Sequence, residues 1–404
     1  MVTVQLRKNV GLADAATTES TSIVGEPSVA TAGANVFMTG NWYASMSQST
    51  ASSWAHVNPY TKLPSAAGGF CCDQLVLFDA ERGIWVWILQ YVATGGNNVF
   101  RVAISRDASF GSWYWWDFSP RDLNPAWTNM WFDYPDAAFS AKHLYLTFNA
   151  FNSAGNWQRA FVFKLPASTL KAGGTLGYQW WSTTEYGSLR LTQGGAANMF
   201  FASHNGGRSL RIYSWPDASS SISNFNVTTS AWSNGPYSAP GPGGVDWLGR
   251  LDSRITGGWT TGTQAGFMWS AAPSANRPRP YVKVALVDVA QRKLLGEPDI
   301  WNATRAYAYP AAATNAAGVP GVAMFFGGGD RHPAHVVGFR EGNGWLLALS
   351  RVSSHGPASN AWGDYINVRR HHPDGATWVA SGYTLQSGND RKFVEPRYVH
   401  FARR

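Results

Sequence analysis

A sevenfold repeat constrains the fold of this chain more than any other feature of its sequence. Copies begin near residues 25, 72, 132, 187, 249, 304 and 362, and the residues that anchor successive copies are 47 to 61 positions apart. Each copy reads as a polar or charged residue, a short extended stretch, a turn and a strongly apolar or aromatic strand. A unit of this length accommodates four short strands, which make one blade of a β-propeller. We therefore predict a single all-β domain over residues 1–404, a seven-bladed β-propeller.

The composition excludes the main alternatives to a folded β protein. Aromatic residues make up 14% of the chain and charged residues another 14%. Aromatic content at this level supplies a buried core, which disordered chains lack, and the scarcity of Lys and Glu argues against helical surfaces. Apolar runs such as Ile84–Leu89 are too short for a membrane span and suit strands.

The ends of the sequence predict how the ring of blades is closed. A circular array must be closed, because otherwise two sheet edges stay exposed. The last copy supplies strands near Asp364–Arg369, Ala376–Ser381 and Arg397–Phe401 but lacks a fourth. Residues 2–8 include the alternating stretch Val2–Leu6 ahead of the first copy. We predict that this segment is the outer strand of the last blade.

The charge of the chain favours an anionic sugar over a nucleic acid as its partner. The net charge is +8, from 32 Lys and Arg against 24 Asp and Glu. The basic residues are scattered arginines rather than a clustered stripe, so they do not match a nucleic-acid interface. An isolated guanidinium suits a single carboxylate on an anionic sugar. We expect a monomer with a carbohydrate ligand or substrate and with neither nucleic acid nor membrane as partner.

The two cysteines, Cys71 and Cys72, are adjacent. Without a second Cys pair or a Cys/His cluster, their pattern does not predict a zinc site. Either a vicinal disulfide or two buried thiols fits the sequence. We expect a secreted protein whose signal peptide is not part of this sequence, on the basis of its few cysteines and its Gly/Ser/Thr/Asn/Trp-rich composition.

Two turns carry worn copies of the Asp-box, S-x-D-x-G-x-x-W. They are Ser47–Trp54 (SQSTASSW) and Ser105–Trp113 (SRDASFGSW). With the phrases GEPSV, FCCDQ and WGDY at the starts of copies, the whole chain resembles bacterial secreted sialidase-like propellers. The resemblance implies Asp-boxes between the third and fourth strands of a blade.

This resemblance does not extend to sialidase activity. Catalytic sialidases resemble six-bladed wheels and open on an F/Y-R-I-P motif whose Arg holds the substrate carboxylate. This chain has seven repeats, and the matching position reads GEP, with Glu26. The comparison therefore predicts a sialidase-like propeller that is not an active sialidase.

Charged and tyrosine residues recur where each copy begins. In a propeller the innermost strands start at one end of the central channel, so these side chains are expected to converge there. As catalytic residues we predict Glu26, Asp73, Asp133 and Tyr307. As substrate-binding residues we predict Arg190, Arg250, Arg254, Arg305, Tyr134, Tyr365 and Asp364. The acids fall mainly in blades seven, one, two and three, and the arginines in blades four, five and six, which predicts an acidic arc facing a basic arc.

Several functions fit such a channel mouth. Paired carboxyl groups suit glycoside hydrolysis, and Tyr with Arg suits a polysaccharide lyase acting on a uronate. The alternatives are a non-catalytic lectin-like or scaffold propeller, and charged groups that only pair across the channel. We expect no cofactor, with a structural Ca²⁺ held by converging carboxylates as the alternative. His371 and His372 are expected to be surface residues.

Overall fold

A computed structural model of the chain describes residues 2–404 as seven four-stranded antiparallel sheets. The chain begins with β1 (Val4–Gly11) and the short helix α1 (Ala13–Thr17). The first blade contains β2 (Ser28–Ala32), β3 (Asn35–Gly40), β4 (Tyr43–Ser47) and β5 (Ala55–Val57). The second contains β6 (Phe70–Asp79), β7 (Ile84–Tyr91), β8 (Phe100–Ser105) and β9 (Tyr114–Phe118), and α2 (Pro120–Leu123) follows. The third contains β10 (Trp131–Phe139), β11 (His143–Phe151), β12 (Trp157–Pro166), α3 (Ala167–Ala172) and β13 (Gln179–Thr183).

The remaining blades repeat this arrangement. The fourth contains β14 (Arg190–Leu191), β15 (Asn198–His204), β16 (Ser209–Pro216) and β17 (Ser223–Thr228), followed by a 3₁₀ turn, Pro242–Gly244. The fifth contains β18 (Ile255–Thr261), β19 (Gln264–Ala271), β20 (Tyr281–Asp288) and β21 (Lys293–Gly296). The sixth contains β22 (Ala306–Thr314), β23 (Pro320–Gly328), β24 (Arg331–Glu341) and β25 (Gly344–Val352). The seventh contains β26 (Asn367–Arg370), β27 (Trp378–Leu385) and β28 (Val394–Arg403), with a 3₁₀ turn at Arg391–Phe393. The seven-bladed propeller predicted from the repeat is confirmed.

The N-terminal strand closes the ring, as predicted. Strand β1 pairs antiparallel with β28, from Val4 opposite Arg403 to Gly11 opposite Arg397. It is the outermost strand of the seventh sheet, whose order is β1-β28-β27-β26. The pairing extends to Gly11, beyond the residue 8 predicted from the alternating pattern. Because the first and last segments of the chain share one sheet, the ring has no free edge at its seam.

Most of the hydrophobic core lies between neighbouring blades. Large aromatic side chains meet there, as where Phe37 of the first blade packs edge-on against Trp87 of the second at 5.2 Å between ring centroids. Trp87, Trp215, Trp259 and Trp378 are all fully buried. Side chains on the two faces of each sheet therefore hold the next blade on either side, which explains the aromatic excess of the sequence.

The two worn Asp-box segments form turns between third and fourth strands, as the resemblance implies. In the second blade Asp107 accepts hydrogen bonds from the backbone N–H groups of Ser109, at 2.8 Å, and Gly111, at 3.2 Å. In the first blade the Ser47 hydroxyl accepts from the N–H of Ala51 at 3.0 Å. These groups stabilise turns at the periphery of the ring. Among residues 2–404, no helix has the length and apolar character needed to cross a bilayer.

Candidate functional site

The inner strands of three blades begin with the same strained turn. Glu26, Tyr134 and Tyr309 have φ values of +42°, +55° and +56°, and each precedes a proline. Positive φ is unfavourable for residues other than glycine and persists where surrounding structure imposes it, often at functional sites. In β10 and β22 the ladder is also interrupted at this point, between Asp133 and Asp136 and between Ala308 and Ala311. These turns place one side chain per blade at the same end of the channel.

Glu26 and Asp73 form a buried carboxyl pair at this end. Glu26 accepts a hydrogen bond from Asn41 Nδ2 at 2.7 Å. Burial raises the pKa of Glu26 well above its usual value, and the neighbouring Asp73 and Asp364 raise it further. Burial and Asp133 raise the pKa of Asp73 to about 7, although hydrogen bonding to Glu26 lowers it. The pair therefore keeps a shared proton at pH values at which an isolated carboxyl group is ionised.

Asp133 lies beside this pair and is more exposed. It is half-buried, and its Oδ1 accepts a hydrogen bond from Gln90 Nε2 at 3.1 Å. Burial raises its pKa, while Gln90 and Arg254 lower it. Asp133 is thus a carboxyl group that solvent can reach beside a proton-holding pair.

Asp364 connects the acids to two arginines. Its Oδ2 lies 2.9 Å from Arg250 Nη2 and 3.5 Å from Arg254 Nη2. Arg254 also pairs with Asp252 at 2.6 Å, and its guanidinium lies 4.1 Å from the centre of the Tyr134 ring. The Arg250 side chain is 50% exposed. We call Glu26, Asp73, Asp133, Asp364, Arg250 and Arg254 the mouth cluster.

Arg190, Tyr134 and Tyr365 lie directly around this cluster and are buried. The rings of Tyr134 and Tyr365 meet edge-on at 5.6 Å. Arg190 pairs with Asp136 at 2.9 Å and donates to the Ile255 carbonyl at 3.2 Å, so it lies deeper in the channel than Arg250. Since the Tyr134 face is occupied by Arg254, this ring is not free to stack on a sugar.

Several buried polar atoms around the cluster have no hydrogen-bond partner among the residues that the structure describes. They are Asn41 Oδ1, Gln90 Oε1, Tyr309 Oη, Asp364 Oδ1 and Tyr365 Oη. Buried polar atoms in folded proteins are nearly always paired with protein, water or ligand.

Two of the residues predicted for the mouth are not part of it. Arg305 pairs with Asp330 at 2.9 Å, through Nε, and Asp330 is 75% exposed. Tyr307 packs against Phe326 at 4.5 Å and lines a separate surface groove of about 200 Å³ with Trp301 and Trp345. The tyrosine that the sixth blade contributes to the mouth is Tyr309, because the chain turns at this left-handed residue and leaves Tyr307 outside the channel. The Tyr-Pro pair shared with Tyr134 is the signal that identifies it.

Three further residues that support the site were not predicted. Asn41 and Gln90 come from second strands or the turns beside them, and Asp136 lies two residues past Tyr134. Asn41 follows directly after β3, and this position at a strand end is its only sequence signal. Gln90, within the apolar run of β7, is a polar residue in a buried strand and could have been flagged for that reason.

Cys71 and Cys72 are joined by a disulfide. The sequence left this open. The bond lies in the irregular stretch of β6 between Phe70 and Gln74, immediately before Asp73. It restrains the backbone that carries this carboxyl group.

The mouth carboxyls do not form a compact set of metal ligands. Within the described chain, the group of three metal-ligand side chains whose donor atoms lie within 4.8 Å of one another is His371, Asp374 and His400, in the seventh blade. The prediction that His371 is a surface residue is wrong, because its side chain is buried. Its Nδ1 lies 3.1 Å from Asp374, and its ring stacks on that of His400 at 4.1 Å between centroids. Because the Asp374 carboxylate also lies 3.3 Å from Arg7, this group is already neutralised by protein partners.

Comparisons with known proteins find partial structural similarity and no related sequence. No protein-family model and no curated protein sequence matches the chain. Among solved structures, the GH93 α-L-arabinofuranosidase of Fusarium graminearum in complex with arabinobiose is 10% identical, with 93% of each chain covered and a TM-score of 0.45. The Dos1 propeller is 9% identical over 98% of this chain and 95% of its own, with a TM-score of 0.47. The Trypanosoma rangeli sialidase bound to the inhibitor DANA is 12% identical over 83% of this chain and 57% of its own, with a TM-score of 0.40.

Proposed function

We propose that the protein is a carbohydrate-active enzyme, a glycoside hydrolase that cleaves an anionic glycan at the mouth cluster. One observation carries this proposal. A buried carboxyl pair, Glu26 with Asp73, whose pKa values are raised by burial, lies beside the more exposed carboxyl Asp133. Glycoside hydrolysis needs one protonated and one ionised carboxyl group flanking the bond to be cleaved.

In this proposal Glu26 is the general acid. It donates its proton to the glycosidic oxygen as the bond to the anomeric carbon breaks, so the leaving sugar departs as an alcohol. Asp133 is the general base and takes a proton from the water that attacks the anomeric carbon. Asp73 interacts with both groups and keeps the proton on Glu26 between turnovers.

The arginines support an anionic substrate. Arg250 uses one guanidinium nitrogen on Asp364 and is half-exposed, so further N–H groups face the solvent at the mouth. A substrate carboxylate placed there would accept charge-assisted hydrogen bonds. The Tyr309 hydroxyl is buried without a partner in the part of the chain that the structure describes, and a small shift of its ring toward the mouth would let it hydrogen-bond to a sugar oxygen.

We also propose that the protein is secreted. The Cys71–Cys72 disulfide supports this location, because disulfides persist in oxidising compartments and are rare in the cytosol.

The proposal is tested by incubating the protein with a panel of neutral and anionic polysaccharides and measuring new reducing ends. We expect turnover on an anionic member and its loss in Asp133→Asn. Asp330→Asn is the matched control, since Asp330 is an exposed carboxylate paired with Arg305 outside the mouth. Reducing ends accompanied by a 4,5-unsaturated uronate would instead identify a lyase. Glycan binding without any product would identify a lectin-like propeller.

A further inference from the structure

The channel opens again at the end opposite the mouth cluster. A cavity of about 410 Å³ lies there, which we call the lower cavity, and it is lined by the last residues of inner strands from six blades. Phe78, Phe139 and Leu77 form an apolar part of its wall, and Arg369, Arg370 and His372 form a basic part. This volume lies in the range of pockets that bind small molecules.

Arg369 is a buried cation without a counterion. The residue is 8% exposed, and its Nε and Nη2 have no hydrogen-bond partner from Val2 to Arg404. Burial lowers its pKa to about 10, so the guanidinium still carries its charge at neutral pH. Buried charges in proteins are ordinarily paired, since an isolated charge in a low dielectric is costly.

The acids near Arg369 are already occupied. Asp136 accepts from Arg190 Nη1 at 2.9 Å and from the Leu191 N–H at 2.9 Å. Asp79, a carboxylate in the cavity wall, pairs with Arg82 at 2.7 Å and accepts a hydrogen bond from the Glu81 N–H at 3.0 Å.

The other basic groups of the wall differ from Arg369. Arg370 donates to the carbonyls of Thr314, at 3.4 Å, and Asn315, at 3.1 Å. Burial lowers the pKa of His372, so it is neutral at neutral pH. Arg369 is therefore the cation of the lower cavity that lacks both a carboxylate and a carbonyl partner in the described chain.

We propose that the lower cavity binds a compact organic carboxylate. Its charged group pairs with the guanidinium of Arg369, which forms part of the cavity wall, and its apolar body lies against Phe78 and Phe139. An inorganic oxyanion would satisfy the charge but leave most of a 410 Å³ cavity with an aromatic wall unfilled. This site is independent of the function proposed for the mouth cluster, because the two lie at opposite ends of the inner strands.

The experiment uses the full chain and benzoate as the probe, with calorimetry and the thermal midpoint as readouts. Benzyl alcohol has nearly the same shape without the charge, and sulfate has charge without the apolar body. We expect benzoate to bind and to raise the midpoint, and the two controls to bind at least about tenfold more weakly. Absence of benzoate binding at millimolar concentration would overturn the site. If benzyl alcohol bound as tightly as benzoate, the proposed role of the charge would be wrong. If sulfate bound as tightly, the proposal of an organic ligand would be wrong.

Variants locate the bound probe. Arg369→Met should weaken benzoate binding by about tenfold or more, while Arg106→Met, which removes an exposed arginine elsewhere, should leave it unchanged. Arg250→Gln at the mouth should also leave it unchanged, and a loss there would move the site to the mouth and overturn the proposal. If Arg369→Met does not fold, Ala80→Glu serves instead. Ala80 is exposed at the rim of the lower cavity, so its glutamate should repel benzoate, and unchanged affinity would contradict the proposal.

Discussion

The two ends of the central channel handle buried charge in different ways. At the mouth, carboxyl groups from several blades lie together, and they relieve their repulsion by sharing a proton between Glu26 and Asp73 and by pairing Asp364 with arginines. At the lower cavity, Arg369 carries a charge that it cannot lose at neutral pH and has no partner in the described chain. An acid can respond to burial by protonation, whereas an arginine needs an anion. The mouth is therefore suited to proton transfer and the lower cavity to binding.

A buried ion pair separates these two environments. Arg190 and Asp136 lie between them, and the channel narrows there to a cavity of about 10 Å³ lined by both residues and by Arg369. Along the channel axis, carboxyl groups thus lie at the mouth, the Arg190–Asp136 pair in the middle and the Arg369 cation at the lower cavity. The predicted acidic and basic arcs describe only the upper layer, where Asp364 joins them through Arg250 and Arg254.

The largest expected effect is loss of activity on removing the proton of the mouth. Glu26→Gln keeps the size of the side chain but cannot act as an acid. We expect the turnover of the glycan identified by the polysaccharide panel to fall by about 10²- to 10⁴-fold, the usual contribution of a general acid. Asp330→Asn is the control and should retain activity. If Glu26→Gln turns over substrate as fast as the unmodified protein, the mouth does not use this proton.

The next largest effect concerns the Arg190–Asp136 ion pair, which lies between the two ends of the channel. Asp136→Asn leaves Arg190 without its carboxylate and adds a second unpaired guanidinium near Arg369. Removing one partner of a buried pair costs about 3–5 kcal/mol, which urea denaturation would measure as a lower free energy of unfolding. Adding Arg369→Met removes one of the two unpaired charges and should recover part of this loss. A cost for Asp136→Asn no larger than that of a surface substitution would show that Arg190 does not need its partner.

Asp73→Asn should raise the free energy of unfolding at neutral and alkaline pH but not at acidic pH. The folded-state pKa of Asp73 is about 7 against an ordinary value of 3.8. Between these values the folded protein binds a proton that the unfolded chain has released, so the free energy of unfolding falls as pH rises from about 4 to about 7. Asparagine carries no such penalty, so the variant should gain up to about 4 kcal/mol at pH 8 and little at pH 4. Denaturant titrations at the two pH values measure the difference, and an equal effect at both would contradict a buried, titrating Asp73.

The comparison also shows what could be predicted from the sequence. The repeat placed an acid at the start of blades one, two, three and seven, and Glu26, Asp73, Asp133 and Asp364 do converge. These positions could be predicted because a propeller brings the starts of all inner strands to one place. Repeat alignment alone thus located most of the mouth.

The lower cavity could not be found in this way. Arg369 appears in the sequence as part of a basic stretch at the end of a strand, together with Arg370, His371 and His372. Whether its guanidinium has a partner depends on Asp136, which lies more than 200 residues away and is occupied by Arg190. A missing partner is a property of packing between distant blades, and local patterns do not report it.

The smallest expected effect concerns the sixth blade, where Tyr307 was predicted to lie at the mouth and Tyr309 lies there instead. Tyr307 and Tyr309 are two residues apart, and in a regular strand both would lie on the same face. The left-handed turn at Tyr309 and the interruption of the ladder after Ala308 separate them, so that Tyr309 lies near Asp364 and Tyr307 lies in the outer groove. Tyr309→Phe removes a buried hydroxyl beside the mouth and should lower kcat/KM on the same glycan by about fivefold, the value of one hydrogen bond between neutral groups. Tyr307→Phe is the matched control and should leave kcat/KM unchanged. The reverse result would place the substrate along the surface groove with Trp301 and Trp345 rather than at the channel mouth.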